Sequence, residues 1–248
     1  MLFAPSATPA AAAPVRRLFE PTDLEFEEPG VLQLNLQFGP VRGQRATRLS
    51  VPDFELDLGL TQAIELDVDG EYALGGSDSG AFALNRQTPD NLWPGLKLGL
   101  GTIEDHAHDM AWAAGLQLGP KLPLARNAQG TGFEGIILLG CRWHDSHLIL
   151  NIGGRRDPAA PGAAHPSGAE LGLDLDYPID RSGQWSVIGQ LGAITYTSPD
   201  ADQLTTAAGV AWQPSPALQL SLIAVYGWLG GGDRYGILLG VAPRFRLW

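Results

Sequence analysis

The feature that most constrains this chain is period-two alternation in its final segment. From Tyr235 the odd positions Tyr235, Ile237, Leu239, Val241 and Phe245 are apolar, while Gly236, Gly240, Ala242, Arg244 and Arg246 are small or charged. A strand turns successive side chains to opposite faces, so this segment has one greasy wall and one mixed wall. The pattern recurs. Leu32, Leu34, Leu36 and Phe38 alternate with Gln33, Asn35 and Gln37, and Ile64, Leu66, Val68, Tyr72 and Leu74 with Glu65, Asp67, Asp69 and Glu71. Leu171, Leu173, Leu175 and Tyr177 alternate with Glu170, Gly172, Asp174 and Asp176. Repeats of roughly ten residues between turn signals, with no charge on the apolar face, are the pattern of a transmembrane β-barrel.

The spacing predicts an all-β fold: a single antiparallel up-and-down barrel of about twelve strands. The strands fall near 30–39, 47–60, 63–74, 92–101, 110–119, 133–144, 147–154, 169–177, 184–196, 203–213, 217–228 and 234–247. The second changes phase across Pro52-Asp53, where a bulge would restore the apolar face. Connections around 75–91, 120–132 and 155–168 are long and rich in Gly, Pro and polar residues, whereas Asp145-Ser146, 60–62 and 178–183 are tight. Long loops on the outer side and short turns on the periplasmic side are the outer-membrane arrangement. Aromatic residues support the same reading. Trp112, Trp143, Tyr177, Trp185, Trp212 and Phe245 fall at periplasmic strand ends, and Phe38, Tyr72, Phe133, Tyr226, Trp228 and Tyr235 at the opposite ends. They predict two girdles at the membrane boundaries.

Composition narrows the function. Mean hydropathy is −0.01, and no run approaches the roughly 20 apolar residues of a transmembrane helix. A net charge of −11 argues against nucleic-acid binding. The single Cys141 falls on the apolar face and reads as a small hydrophobe. Residues 1–20, rich in Ala and Pro and ending near Arg16-Arg17, read as a leader or signal-peptide remnant without structure. Residues 21–248 form the barrel.

The runs Glu28-Pro29-Gly30-Val31-Leu32-Gln33-Leu34 and Leu58-Gly59-Leu60-Thr61-Gln62-Ala63-Ile64-Glu65-Leu66, with Leu96-Lys97-Leu98 and Gly240-Val241-Ala242-Pro243-Arg244-Phe245, are similar to the outer-membrane transporters named for the MetA pathway of phenol degradation. The resemblance implies a Gram-negative outer-membrane barrel that takes up small, often apolar or aromatic compounds. It supplies no catalytic set. Arg246-Leu247-Trp248 extend past the family-like terminal Phe245, and Trp248 has the wrong parity to face lipid.

The inward wall carries the chemistry. Parity points Glu55, Asp57, Glu65, Asp67, Asp69, Glu71, Asp174 and Asp176 to the lumen, faced by Lys97, Glu134, Arg142 and His144. Such charges either set ion preference or close the lumen with ion pairs. Two other motifs have blander readings. His106 and His108 in Asp105-His106-Ala107-His108-Asp109 share a parity and are weak metal candidates, lacking the further ligands of a closed site. Asp145-Ser146-His147 has hydrolase residue types, but they sit in a tight turn and triads are defined by geometry. The expectation is a non-enzymatic outer-membrane channel without a cofactor. Its partners would be outer-membrane lipid, the barrel-assembly machinery and a small-molecule permeant. The alternatives are a structural barrel without transport and a soluble β-sandwich binding protein.

Overall fold

A computed structural model describes residues 26–43, 47–75, 91–124, 129–159, 162, 164–197 and 202–248. Residues 1–25, and with them the expected leader, lie outside the described residues. Twelve strands form one closed barrel in which each pairs antiparallel with its chain neighbours and β1 closes on β12. They are β1 Val31–Arg42, β2 Thr47–Thr61, β3 Ile64–Gly75, β4 Asn91–Asp105, β5 Met110–Pro123 and β6 Gly132–Trp143. The second half comprises β7 Ser146–Arg156, β8 Ser167–Pro178, β9 Trp185–Tyr196, β10 Gln203–Ser215, β11 Leu218–Gly227 and β12 Tyr235–Arg246. Closure leaves no strand edge along the wall, which a hydrocarbon environment demands of backbone amides and carbonyls.

Side chains are inside-out relative to a soluble protein. On β8, Leu171, Leu173, Leu175 and Tyr177 are 48%, 38%, 43% and 52% exposed, while Glu170 and Asp174 are 4% and 2% exposed. A soluble sandwich would bury those leucines between two sheets; here they face out from a single closed one, which removes the sandwich reading. Between the aromatic levels, no outward strand position among the described residues carries a charge. Trp112, Trp143, Tyr177, Trp185, Trp212 and Phe245 are all exposed at one end. Trp185 and Trp212 stack at 5.6 Å. Phe133, Tyr226, Trp228 and Tyr235 are exposed at the other end, where Tyr226 and Trp228 meet edge-to-face at 4.9 Å. The side chain of Tyr72 lies outside the described residues. Cys141 is a free thiol on the outer wall.

Alternate connections share a rim. The turns 62–63, 106–109, 144–145, 179–184 and 216–217 lie on one rim, together with the start of β1 and the end of β12. The strand ends joined by 43–46, 76–90, 124–131, 157–166, 197–202 and 228–234 lie on the other. Loop length therefore segregates as expected from the sequence. The β2 register shifts between Ser50 and Asp53, the place where parity required a bulge.

Several strands, β1 and β4 among them, run further than periodicity indicates, and in two the extension changes the lumen. β5 continues to Pro123 and β7 to Arg156, so Lys121 and Arg155 are wall residues rather than loop residues. Both point inward and are buried. Arg142 differs in the opposite sense. It has inward parity, but β6 ends one residue later at Trp143. The side chain lies at the short-turn rim, exposed, 3.9 Å from Asp109, and does not line the lumen. His144 sits in the adjacent turn with Nδ1 2.9 Å from Asp109.

Candidate functional site

The lumen has two unlike halves. Inward positions of β2 to β8 carry most of the buried charges, densest on β2 and β3 where Glu and Asp recur at every second residue, and they also bury the apolar cluster Trp93, Ile136 and Leu138 of β4 and β6. Inward positions of β9 to β12, with Val41 of β1, form an apolar cluster of Ile188, Ala207, Ala211, Ile223, Val225 and Leu238. Their inward faces mix these apolar residues with Ser186, Gln203, Thr205, Gln219 and Ser221, so alternation shows the outer wall more clearly than the inner one.

In the long-loop half, the charges close on one another. Lys121 donates to Glu134. Arg155 lies 3.1 Å from Glu134, 3.1 Å from Glu170 and 3.4 Å from Asp157. Tyr196 donates its hydroxyl to Asp157 at 2.8 Å. The Lys121 ammonium also lies 5.4 Å from the ring of Trp93, which is fully buried. A desolvated ammonium over an indole face gains cation–π attraction. Nearer the loops, Arg48 bridges Glu71 at 3.1 Å and Asp233 of the last long-rim loop, and Ser50 donates to Glu71.

In the short-turn half, carboxylates crowd together. Lys97 pairs with Glu65 at 3.0 Å. Glu55, Asp57 and Asp67 bring one ligand oxygen each within 4.8 Å of one another. Asn35 donates to Glu55 at 3.1 Å and to Asp57 at 2.8 Å. Gln117 donates to one oxygen of Asp67, and the other has no hydrogen-bond partner among the described residues. Asp69 is inward and buried one step further along β3. Neutral amides satisfy part of this group, but crowded carboxylates repel one another strongly and attract cations. Hard cations take such oxygen ligands. Asp174 accepts from Asn151 at 3.3 Å, and Asp176 faces the same lumen opposite His147 in the strand register.

The structure places the other motifs apart from this lumen. His106 lies 3.3 Å from Glu104, and His108 lies 2.8 Å from Asp105, all exposed in the 106–109 turn region. The two imidazoles thus engage different carboxylates. Ser146 and His147 are successive residues of β7, so their side chains leave opposite faces of the wall and cannot form a nucleophile–base pair.

Sequence reasoning missed Lys121, Arg155 and Trp93 as lumen residues, and it put Glu170 on the inward face without counting it among the lumen charges. A usable signal existed for Lys121: inward parity runs Gln117, Gly119, Lys121 straight through Pro120. It also missed residues 26–30, which fold back into the short-turn mouth.

No protein-family model matches the chain, and no curated protein matches it. Among solved structures, the NanC porin superposes with a TM-score of 0.59 at 11% identity, over 85% of this chain and 98% of that one. The OmpT loop L8 deletion mutant, an outer-membrane protein of Vibrio cholerae, gives 0.44 at 8%, covering 87% and 98%. The CymD monoaromatic hydrocarbon channel gives 0.42 at 10%, covering 89% of each chain. Only the first likeness is close enough to bear on the fold. By its closed wall, its outward apolar belt and that likeness, the chain has the fold of an outer-membrane β-barrel.

Proposed function

We propose that this chain is an outer-membrane channel for small molecules, with its long loops outside and its short turns in the periplasm. The observation that supports this best is the lumen itself. A barrel that only had to fill its interior could do so with apolar side chains, whereas this one gathers Glu55, Asp57 and Asp67 together, with the neutral amides of Asn35 and Gln117 donating to them. Crowded carboxylates favour cations in a narrow pore. The facing apolar wall of Ile188, Ile223, Val225 and Leu238 gives a partly apolar permeant a matching surface. The permeant class, small and often aromatic compounds, follows from the resemblance to the MetA-pathway transporters. Outer-membrane lipid and the barrel-assembly machinery are the other partners this reading requires.

A second reading has its own observation. Lys121, Glu134 and Trp93 show no exposure, and with Arg155 they occupy the long-loop half of the lumen. A permanent plug of this kind would make the barrel structural. Single-channel recording of the purified protein in planar bilayers separates the two. The channel reading expects steps with cation preference. Silence from folded protein favours the structural barrel.

A further inference from the structure

We propose that residues 26–30 form a strap that closes the short-turn mouth of the barrel, latched by Glu27 on Arg244, and that the pore opens when this latch releases. The inference rests on the channel reading above and adds a device to it. The strap is made by local sequence. Glu28-Pro29-Gly30-Val31 is a turn in which the Val31 amide donates to the Glu28 carbonyl at 2.8 Å and Gly30 adopts φ 81°. Proline followed by a glycine at positive φ is the type II signature. That turn sends the preceding residues back into the barrel.

Inside, the strap makes specific contacts. The Glu27 carboxylate accepts from Arg244 of β12 at 2.6 Å, and its amide donates to Glu65 of β3. The Phe26 ring lies 5.0 Å from the Lys97 ammonium of β4. A Cβ at Gly99 would meet that ring at 3.3 Å, and a Cβ at Gly59 would collide with the Glu27 and Glu28 carbonyls. Both glycines therefore leave room for the strap. The wall order is β12, β1, β2, β3, β4, so these contacts span a third of the twelve-strand circumference. Glu27 is 8% exposed. The strap also engages Lys97 and Arg244, two cations of this mouth. Its release would uncover Arg244 while Lys97 remains on Glu65.

The test is conductance of the full chain in planar bilayers, with folding followed by the gel shift before and after boiling. Glu27→Arg and Arg244→Glu each place like charges at the latch and should raise mean conductance at least about twofold. The double variant restores an opposed pair and should return to the parent value. Glu27→Gln, the substitute should either single variant fail to fold, removes the opposing charge while Arg244 keeps Gln33 at 2.7 Å, and should open the pore and move the reversal potential toward anions, because the Arg244 charge is then uncompensated. A hole merely widened would not shift that potential. In a Cys141→Ala background, Phe26→Cys should react slowly with a maleimide, and faster once Arg244→Glu is added. Equal conductance in all folded variants with unchanged labelling would overturn the strap and leave the channel. Silence from every folded variant would overturn the channel reading and the gating role together.

Discussion

Leu239→Arg is the sharpest test of the membrane placement, because the structure fixes its depth. On β12 the outward ring residues Tyr235 and Phe245 mark the two girdles, ten residues apart. At about 3.4 Å per residue and a tilt of roughly 40°, that separation spans about 26 Å of membrane normal, close to the roughly 25 Å apolar band of such barrels. Leu239 lies beside the midpoint, is 59% exposed on the outer wall, and pairs with outward Leu222 and Phe38. An arginine there sits at the bilayer midplane and should cost about 2–4 kcal/mol, roughly 30- to 1,000-fold in the folding equilibrium. The same substitution at Tyr235 or Phe245 should cost only about 0–1 kcal/mol, since an interfacial guanidinium reaches water. Reversible denaturant titration of the protein folded into vesicles reads all three. Equal costs at the three positions, or a cost below about 1 kcal/mol at Leu239, would refute the reasoning, because depth dependence has no source in a soluble barrel.

Other outcomes follow from the lumen and the rims. Glu134→Gln leaves buried Lys121 and Arg155 without their shared carboxylate. It should cost about 3–5 kcal/mol in the same titration, as for a broken buried ion pair. Asp57→Asn with Asp67→Asn should weaken cation preference in reversal-potential measurements, and raised salt should shrink the difference. External protease on intact cells should cut within 157–166 and spare 144–145 and 216–217; cuts appearing only after the outer membrane is opened would reverse the topology. In the exposed 179–184 turn, the Ser182 hydroxyl, then the Trp185 amide at 2.7 Å, hold the Asp180 carboxyl below its ordinary value. A lowered folded value means the turn is supported above the ordinary aspartate value and loses that support as pH falls through the lowered one. Ser182→Ala should move the Asp180 titration upward by NMR.

Strand number, outer wall and most of the girdles were legible because lipid imposes one rule on every outward position; Phe38 is the exception, since it pairs with mid-wall Leu239 and not with the long-loop girdle where its strand-end position placed it. Ile137, Leu173 and Leu239 obey it without reference to one another. Lumen residues answer to partners across the barrel, which period-two counting does not see. Lys121 and Arg155 looked like loop residues because polar character rises wherever a strand nears a long loop. The Glu134 carboxylate that draws them inward is distant in sequence from Lys121 and Arg155 alike. Arg142 had the right parity and the wrong depth: parity gives the face, and only the neighbouring strand ends give the height. The strap was half visible. Pro29-Gly30 announces a turn, but its consequence depends on Gly59 and Gly99 leaving space, and on Arg244 arriving from the far end of the chain.

The two halves of the lumen also constrain how any passage must work. The Lys121–Glu134–Arg155–Glu170 group and Trp93 lie on β4 to β8, and the strap crosses β12 to β4 at the other end. A straight axial path would have to break a fully buried ion-pair network, a cost that leaves the other charges stranded. On β9 to β12 the inward Ile188, Ala207, Ile223, Val225 and Leu238 are buried against one another by dispersion contacts, while Tyr196 joins the ion-pair group through Asp157 and Arg244 is held by Glu27 and Gln33 at the short-turn end. On the channel reading proposed above, the easier path runs along this apolar wall, whose buried side chains must move aside for it, with the carboxylates of β2 and β3 facing it across the lumen. Shortening Ile223 or Leu238 to Ala should then change permeation more than shortening any member of the ion-pair network leaves room for, and blocking that wall with Ala207→Trp should reduce conductance while the outer belt, and with it assembly, stays intact.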